Sequence, residues 1–295
     1  MATTRQSIED REVEKVKSVH ALRRILVHVS RDDRARSRIE LAFQLAIRFS
    51  AKLTGIYLMT TGVPAAIAAA EVPPSFYVEL EKRVEEDAET ARRRYLDRAA
   101  QANVTSAWCC ERGGIDSMLR LARYMDVTVV GQIDPEAADG SALVLPEDIA
   151  LGSGRPVLAV PYIGAPADTG SRIVIAWNAS REAARAVADA LPFLQQAEVV
   201  SVVSIDERRG ESEERSRSAA DLCGYLEDHG VVAKPQLLYA DTLSAADALL
   251  SYIADVGANL LVMGCYGHTR LREFVLGGMT RDILRHMTVP VLLSH

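Results

Sequence analysis

An internal repeat constrains the fold of this chain more than any other feature of its sequence. Three apolar segments of the first half recur in the second half in the same order: residues 24–30 as 172–180, 127–131 as 260–264, and 155–160 as 288–293. Self-similarity over this length indicates that one domain has been copied within the chain. With 295 residues, the chain is long enough for two ordinary domains.

Changes in composition divide the chain into four regions. Residues 1–20 are charged and lack a sustained apolar stripe, so they predict a frayed N-terminal arm or a surface helix. The first domain is expected over residues 21–161, followed by a linker rich in Gly, Ala and Pro over residues 162–171. The second copy then occupies residues 172–295.

Short apolar runs alternate with helical periodicity in both copies. Residues 24–30 have the continuous apolar character of a buried parallel strand, and residues 37–49 repeat apolar side chains at helical spacing. A strand, a helix and a second strand in this order form a right-handed unit. We therefore predict an α/β fold of two tandem doubly wound domains, each a five-stranded parallel sheet flanked by helices.

Two segments interrupt this alternation. Residues 61–74 are rich in Gly, Pro and Ala, which favours a surface loop over a flap that covers a pocket or a contact with a partner. Residues 206–217 are densely charged with both signs interspersed, which favours a solvated loop and helix start over a binding patch.

Composition excludes several classes of function. The net charge of −6 argues against a nucleic-acid or anionic-membrane partner, because both need a basic surface. The charged N-terminus does not resemble a secretory signal, and no apolar run is long enough to span a membrane. We therefore expect a cytoplasmic protein.

The four cysteines are predicted to be inert, because Cys109, Cys110, Cys223 and Cys265 have neither metal-ligand nor disulfide-scaffold spacing. Cys265 is nevertheless expected to be accessible, since it lies in a glycine loop.

Glycines near the end of the chain point to a binding site. Gly264 closes the apolar run of residues 260–263, Gly267 follows it, and Gly277 and Gly278 precede a helical pattern. Glycines let a backbone approach a ligand closely, and the unpaired N–H groups of a helix N-terminus favour phosphate. The pattern predicts a nucleotide pocket. The alternative is that these glycines only form tight turns and a cap.

The first copy departs from this glycine pattern. Its fourth strand is followed by Gln132 and an acidic stretch, and Pro146, Glu147 and Asp148 occupy the expected position of the phosphate-binding turn. Carboxylates there would repel a polyphosphate. We infer that the first copy keeps the fold and has lost the nucleotide site.

The glycine pattern carries a family resemblance. Gly264-x2-Gly267-x9-Gly277, followed by a small residue and then Met279-Thr280, resembles the nucleotide-binding signature of the universal stress protein family. The resemblance covers nearly the whole chain as two tandem domains, and it implies binding of ATP with Mg²⁺. The family usually has Ser or Thr where this chain has Gly278, which removes one hydroxyl donor to phosphate.

The resemblance also assigns roles to individual residues. Asn178 takes the place of the family's usual Asp beside adenosine. Trp177 stands where the family has a small aliphatic residue, and the indole ring could either stack on adenine or plug the pocket. His268 and Arg270 follow Gly267, and their side chains could either face the phosphate chain as cations or simply be exposed loop residues. The predicted nucleotide-binding residues are Ala176, Trp177, Asn178, Val203, Met263, Gly264, Gly267, His268, Gly277, Gly278, Met279 and Thr280.

Two functions remain open from the sequence. The first is a universal stress protein that binds ATP or another adenine nucleotide in its C-terminal domain and acts as a regulator, with at most very slow hydrolysis, since no catalytic constellation is apparent. The second is an interaction module with vestigial pockets, whose two domains form a pseudo-dimer. An unidentified protein partner and further pairing into a homodimer are compatible with both.

Overall fold

The computed structural model describes residues 21–30, 35–59, 73–132, 144–206, 212–240, 244–265 and 278–295. The predicted N-terminal arm, most of the loop at residues 61–74, and Gly267, His268, Arg270 and Gly277 lie outside these ranges. Within the described part of the chain, no helix combines the length and apolar character that crossing a bilayer requires.

Strands and helices alternate through both halves. The first half contains β1 (Arg24–Val29), α1 (Ala35–Phe49), β2 (Lys52–Met59), α2 (Pro74–Ala102), β3 (Ser106–Arg112), α3 (Ile115–Ala122), β4 (Val127–Gly131), α4 (Pro146–Ser153) and β5 (Val157–Val160). The second contains β6 (Arg172–Ala176), α5 (Arg181–Leu194), β7 (Val199–Asp206), α6 (Ser212–Asp228), β8 (Ala233–Tyr239), α7 (Ala245–Asp255), β9 (Leu260–Gly264), α8 (Gly278–His286) and β10 (Val291–Ser294).

The two halves share one ten-stranded sheet in the order β3-β2-β1-β4-β5-β10-β9-β6-β7-β8. Within each half the strands are parallel, which confirms the predicted α/β fold. The halves meet where β5 pairs antiparallel with β10. The prediction of one five-stranded sheet per domain is therefore incomplete, because the last strand of each half hydrogen-bonds to the other and makes the two sheets continuous.

Helices cover both faces of this sheet, as a doubly wound fold requires. One face packs against α1, α2, α5 and α6, and the opposite face against α3, α4, α7 and α8. Strand residues are apolar on both faces because both are covered, as along β4 and β9. This double burial explains why the strands read as continuous apolar runs rather than as alternating patterns.

Helix α5 contains a proline near its end. It continues to Leu194 with Pro192 inside it. The backbone N–H of Gln195 still donates to the Leu191 carbonyl at 3.0 Å, so the last turn is closed despite the proline.

Side chains also connect the two halves. The ring of Phe49 at the end of α1 meets Phe193 of α5 edge to face, with centroids 5.4 Å apart. The neighbouring Arg48 donates to the carbonyl of Thr169 at 3.0 Å and to Gln196 Oε1 at 2.6 Å. These contacts join α1 to the linker and to the end of α5.

Asn259 anchors the end of the linker at the start of β6. Its side-chain oxygen accepts from the backbone N–H groups of Gly170 and Arg172, at 3.0 and 3.1 Å. Its amide nitrogen donates to the Asp168 carbonyl and to Ser171 Oγ, at 2.9 and 2.8 Å. One buried side chain therefore satisfies four polar groups and determines where the second repeat begins.

Gln132 performs a similar task between the halves. It follows β4, and its amide nitrogen donates to the carbonyls of Leu284 and Arg285, both at 3.0 Å, in the last turn of α8. Its side-chain oxygen accepts from the backbone N–H of Tyr162 at 3.1 Å. A buried residue of the first half thereby caps the C-terminus of a helix in the second half.

We expect Gln132→Glu to lower the free energy of unfolding by about 2–4 kcal/mol, because it removes a donor to two carbonyls and adds a negative charge at a helix C-terminus. Urea unfolding at neutral pH measures the effect. Gln101→Glu makes the same chemical change in the exposed last turn of α2, where it adds a charge near a helix C-terminus but removes no capping hydrogen bond, so it should cost at most about 1 kcal/mol. Equal midpoints for the two variants would contradict the capping role.

Candidate functional site

The carboxyl ends of β6 and β9 lie side by side at a switch point of the sheet. Ala176 of β6 is in register with Met263 of β9. The chain leaves β6 toward α5 on one face and resumes after β9 in α8 on the other face. Two connections that diverge to opposite faces leave a crevice between them, which is where open α/β sheets bind ligands.

A cavity of about 240 Å³ occupies this crevice. Nine of the predicted binding residues line it: Ala176, Trp177, Asn178, Val203, Met263, Gly264, Gly278, Met279 and Thr280. The remaining three, Gly267, His268 and Gly277, lie outside the described residues. Residues from β6, β7, β9 and α8 thus converge on one space, although they are far apart in sequence.

Trp177 forms a wall of this cavity. Its indole nitrogen donates to Ser218 Oγ of α6 at 2.9 Å, and its ring packs against the apolar layer beneath α5 and α6. Its backbone N–H also donates to the Val203 carbonyl at 2.8 Å, which extends the pairing of β6 with β7. The side chain is held toward α6, and the cavity lies beside it.

The turn after Trp177 is shaped by hydrogen bonds of short polar side chains. The Asn178 side-chain oxygen accepts from the Ser180 backbone N–H at 3.1 Å, across Ala179, whose φ of 57° is left-handed. Ser180 then caps α5 by accepting from the Ala183 N–H at 3.1 Å. Since the Asn178 oxygen is engaged by the turn, its amide nitrogen is the group suited to donate toward a ligand.

Five lining residues were not predicted: Ser180, Glu182, Ile205, Arg215 and Ala245. Ser180 and Glu182 could have been found, because they directly follow the predicted strand end at a helix start. Arg215 could not, since its segment was interpreted as solvated and only the path of α6 brings it to the cavity. Glu182 is buried, and Arg181 Nε lies 2.8 Å from its Oε1.

Gly264 has a packing role in addition to the predicted one. A Cβ atom at this position would lie 2.6 Å from the backbone nitrogen of Ala183 and 2.7 Å from the carbonyl carbon of Glu182. The glycine therefore lets the first turn of α5 pack against the end of β9, and it also lines the cavity. This packing narrows the crevice and determines where its floor lies.

Helix α8 begins at the cavity with Gly278, and Thr280 in its first turn is buried. Among the described residues, a Cβ atom at Gly278 would meet only Asp282 Oδ2, at 3.8 Å, which is ordinary van der Waals contact. The helix N-terminus brings backbone N–H groups and the positive end of its dipole to the mouth of the cavity. At the other end of α8, His286 Nδ1 lies 3.0 Å from the Asp282 carbonyl.

The structure departs from the prediction for one of the four cysteines. Cys265 was expected to be accessible, but it is fully buried because its N–H donates to the Ser294 carbonyl at 2.7 Å and continues the β9–β10 pairing. Burial raises the pKa of the Cys109, Cys110 and Cys223 thiols, which favours their protonated, less nucleophilic form. Among the described residues, no group of three or more His, Cys, Asp or Glu could hold a metal ion.

The corresponding crevice of the first half contains an arginine. Arg38 of α1 is buried, and its guanidinium donates to the His28 carbonyl at 2.7 Å and to Ser30 Oγ. A Cβ atom at Gly131, the equivalent of Gly264, would lie 2.6 Å from an Arg38 nitrogen. Pro146, Glu147 and Asp148 form the first turn of α4. The space between the ends of β1 and β4 is thus occupied by a side chain of the protein itself.

We expect Gly264→Ala to destabilise the protein by about 2–3 kcal/mol, because the added methyl group would overlap backbone atoms that only a shift of α5 could move. Thermal and urea unfolding measure this effect. Gly278→Ala is the matched control, since its methyl group makes only an ordinary van der Waals contact with the described residues and should be neutral or slightly stabilising. Similar losses in both variants would mean that α5 does not depend on Gly264.

Sequence comparison with known proteins gives matches in the second half of the chain, which contains the cavity. A family model described as the universal stress protein family matches residues 170–295. A universal stress protein from Synechocystis is 37% identical over 67 residues, which are 23% of this chain and only 22% of that protein.

Solved structures resemble the chain over both halves. A universal stress protein from Archaeoglobus fulgidus aligns with a TM-score of 0.68 and 12% identity, covering 92% of this chain and 97% of that one. A functionally unknown protein from Pseudomonas aeruginosa aligns with a TM-score of 0.57 and 15% identity, covering 95% and 94%. At these identities the similarity describes the fold, and it extends to the first half, which the family model does not match.

Proposed function

Because residues 170–295 belong to the universal stress protein family, within a chain that has a tandem fold of this kind throughout, we propose that the second half binds an adenine nucleotide. One observation carries this proposal. One cavity is surrounded by the ends of β6, β7 and β9 and by the N-terminus of α8. It is lined by all of the predicted binding residues that lie within the described part of the chain.

The two ends of the cavity suit the two ends of a nucleotide. Val203, Ile205 and Met263 offer apolar surface for a base, while Asn178 and Glu182 offer a donor and acceptors for sugar hydroxyls. The first turn of α8 suits phosphate through its backbone N–H groups. A cavity of 240 Å³ is at the small end of ligand pockets, so the triphosphate and its Mg²⁺ would extend past α8 toward solvent.

The buried Glu182 carboxylate limits how the ligand could lie. A phosphate next to this side chain would be repelled, so the phosphate chain must run away from α5 and toward α8. Arg215 of α6 lines the cavity and adds a positive charge that favours an anionic ligand overall. The described residues that line the site offer binding groups, and among them no nucleophile is held by a base, so we propose a regulator rather than an enzyme.

The first experiment is calorimetric titration of the full chain with ATP and Mg²⁺, using a pair of alanines on α7. Ala245 lines the cavity, whereas Ala248 is similarly half-buried one turn away and does not line it. Ala245→Leu should weaken binding about tenfold to a hundredfold by occupying ligand space, and Ala248→Leu should not. Absence of ATP binding by the unmodified chain would favour the alternative, an interaction module with a vestigial pocket.

A second experiment adds the hydroxyl that the glycine turn lacks. Within the described ranges, Gly278 has space for a side chain, so Gly278→Ser should place a donor at the N-terminus of α8 and strengthen ATP binding about tenfold. Gly278→Ala provides the control, because it changes backbone freedom equally without adding a hydroxyl. If the serine and alanine variants bind ATP equally well, the phosphate does not lie at this helix N-terminus.

A further inference from the structure

A second cleft lies in the first half, between α1 and α2, and it is larger than the cavity described above. Its volume is about 660 Å³, and it opens above the carboxyl end of β1. Val29, Ile39, Ala91 and Tyr95 contribute apolar surface to its walls, and Tyr95 is fixed by donating to the Leu53 carbonyl at 3.0 Å. Its size is within the range of small-molecule sites.

The repeat explains why this space is open. Strand registers make Ile25 equivalent to Ile173, since they pair with Val127 and Leu260 at the start of β4 and β9. Counting along the strands, Val29 is then equivalent to Trp177. In the second half, the Trp177 ring reaches Ser218 and fills the space between α5 and α6. In the first half, the smaller Val29 leaves the corresponding space between α1 and α2 unfilled by the side chains of described residues.

The rim of the cleft carries more positive than negative charge. Arg36, Arg94 and Arg98 line it together with Glu40 and Asp87. Arg98 donates to both carboxylate oxygens of Glu40, at 2.9 and 2.5 Å, and these hydrogen bonds lower the pKa of Glu40. Glu40 therefore remains ionised and largely satisfied by Arg98.

Two arginines are left on the rim. Arg94 makes no hydrogen bond or ion pair within the described ranges, and Arg36 acts on Glu40 only through its charge. Both side chains are exposed at the cleft mouth, above the apolar walls. An apolar interior below uncommitted guanidinium groups matches a ligand with an apolar body and one anionic end.

We propose that this cleft binds a small amphipathic anion, namely a ring-bearing carboxylate whose apolar body packs between α1 and α2 while its charge meets Arg94 and Arg36. The site shares no residue with the C-terminal cavity. Its ligand is therefore independent of the nucleotide proposal, and either proposal can fail without the other.

The probe is 2-naphthoate, with neutral 2-naphthol as its matched analogue, titrated into the full chain by calorimetry. Thr90→Trp places a large ring in the cleft from α2, and Arg93→Trp makes a comparable change nearby on α2 without lining the cleft. Loss of naphthoate binding in the Thr90 variant, with binding kept in Arg93→Trp and in Ala245→Leu, is the expected result. Binding that survives in folded Thr90→Trp would overturn the assignment to this cleft.

The charge requirement is tested with a second pair of variants on the same helix. Arg94→Gln should weaken naphthoate binding about threefold to tenfold and leave naphthol unaffected, whereas Arg93→Gln should change neither. Raising the salt concentration should reduce the difference between the two probes. Equal affinity for naphthoate and naphthol, or no effect of Arg94→Gln, would show that the cleft does not select an anion. Unfolding curves of each variant establish that it is folded.

Discussion

The antiparallel pairing of β5 with β10 is the contact on which the rest of the structure depends. Val157, Leu158 and Ala159 pair with Leu293, Leu292 and Val291, so the last strand of each repeat covers an edge that would otherwise be exposed. Each repeat supplies the partner that a single copy would need from a second chain. The pseudo-dimer expected from the repeat is thus a continuous sheet, with only β3 and β8 at its outer edges.

Within this common frame, the two copies differ at a few equivalent positions. Arg38 occupies the crevice between β1 and β4, whereas the crevice between β6 and β9 remains a cavity beside Gly264. Between the helices the situation is reversed. Trp177 fills the space between α5 and α6 in the second half, whereas Val29 leaves the equivalent space between α1 and α2 open in the first half. A single large side chain decides in each case whether a packed core or a cavity forms, because interiors are otherwise densely packed.

The repeat and the apolar periodicity were enough to predict the strands and the helices, since these follow from local patterns. That residues of β6 and β9 belong to one site was implied by the family resemblance rather than by those patterns. Arg215 and the hydrogen bonds of Gln132 could not be predicted, because they depend on how distant elements pack. The packing role of Gly264 could not be predicted for the same reason. A glycine signals close approach, but only coordinates identify what approaches, here the first turn of α5.

The first repeat acts on the candidate site although it lacks the glycine turns. Helix α8 has its N-terminus at the cavity and its C-terminal carbonyls on Gln132, which belongs to the first repeat. Strand β10, which follows α8, is held by β5 of the same repeat. The C-terminus of α8 and the strand that follows it are therefore both held by the first half. The position of the helix N-terminus, and with it any phosphate contact, depends on a repeat that we infer has no nucleotide site of its own.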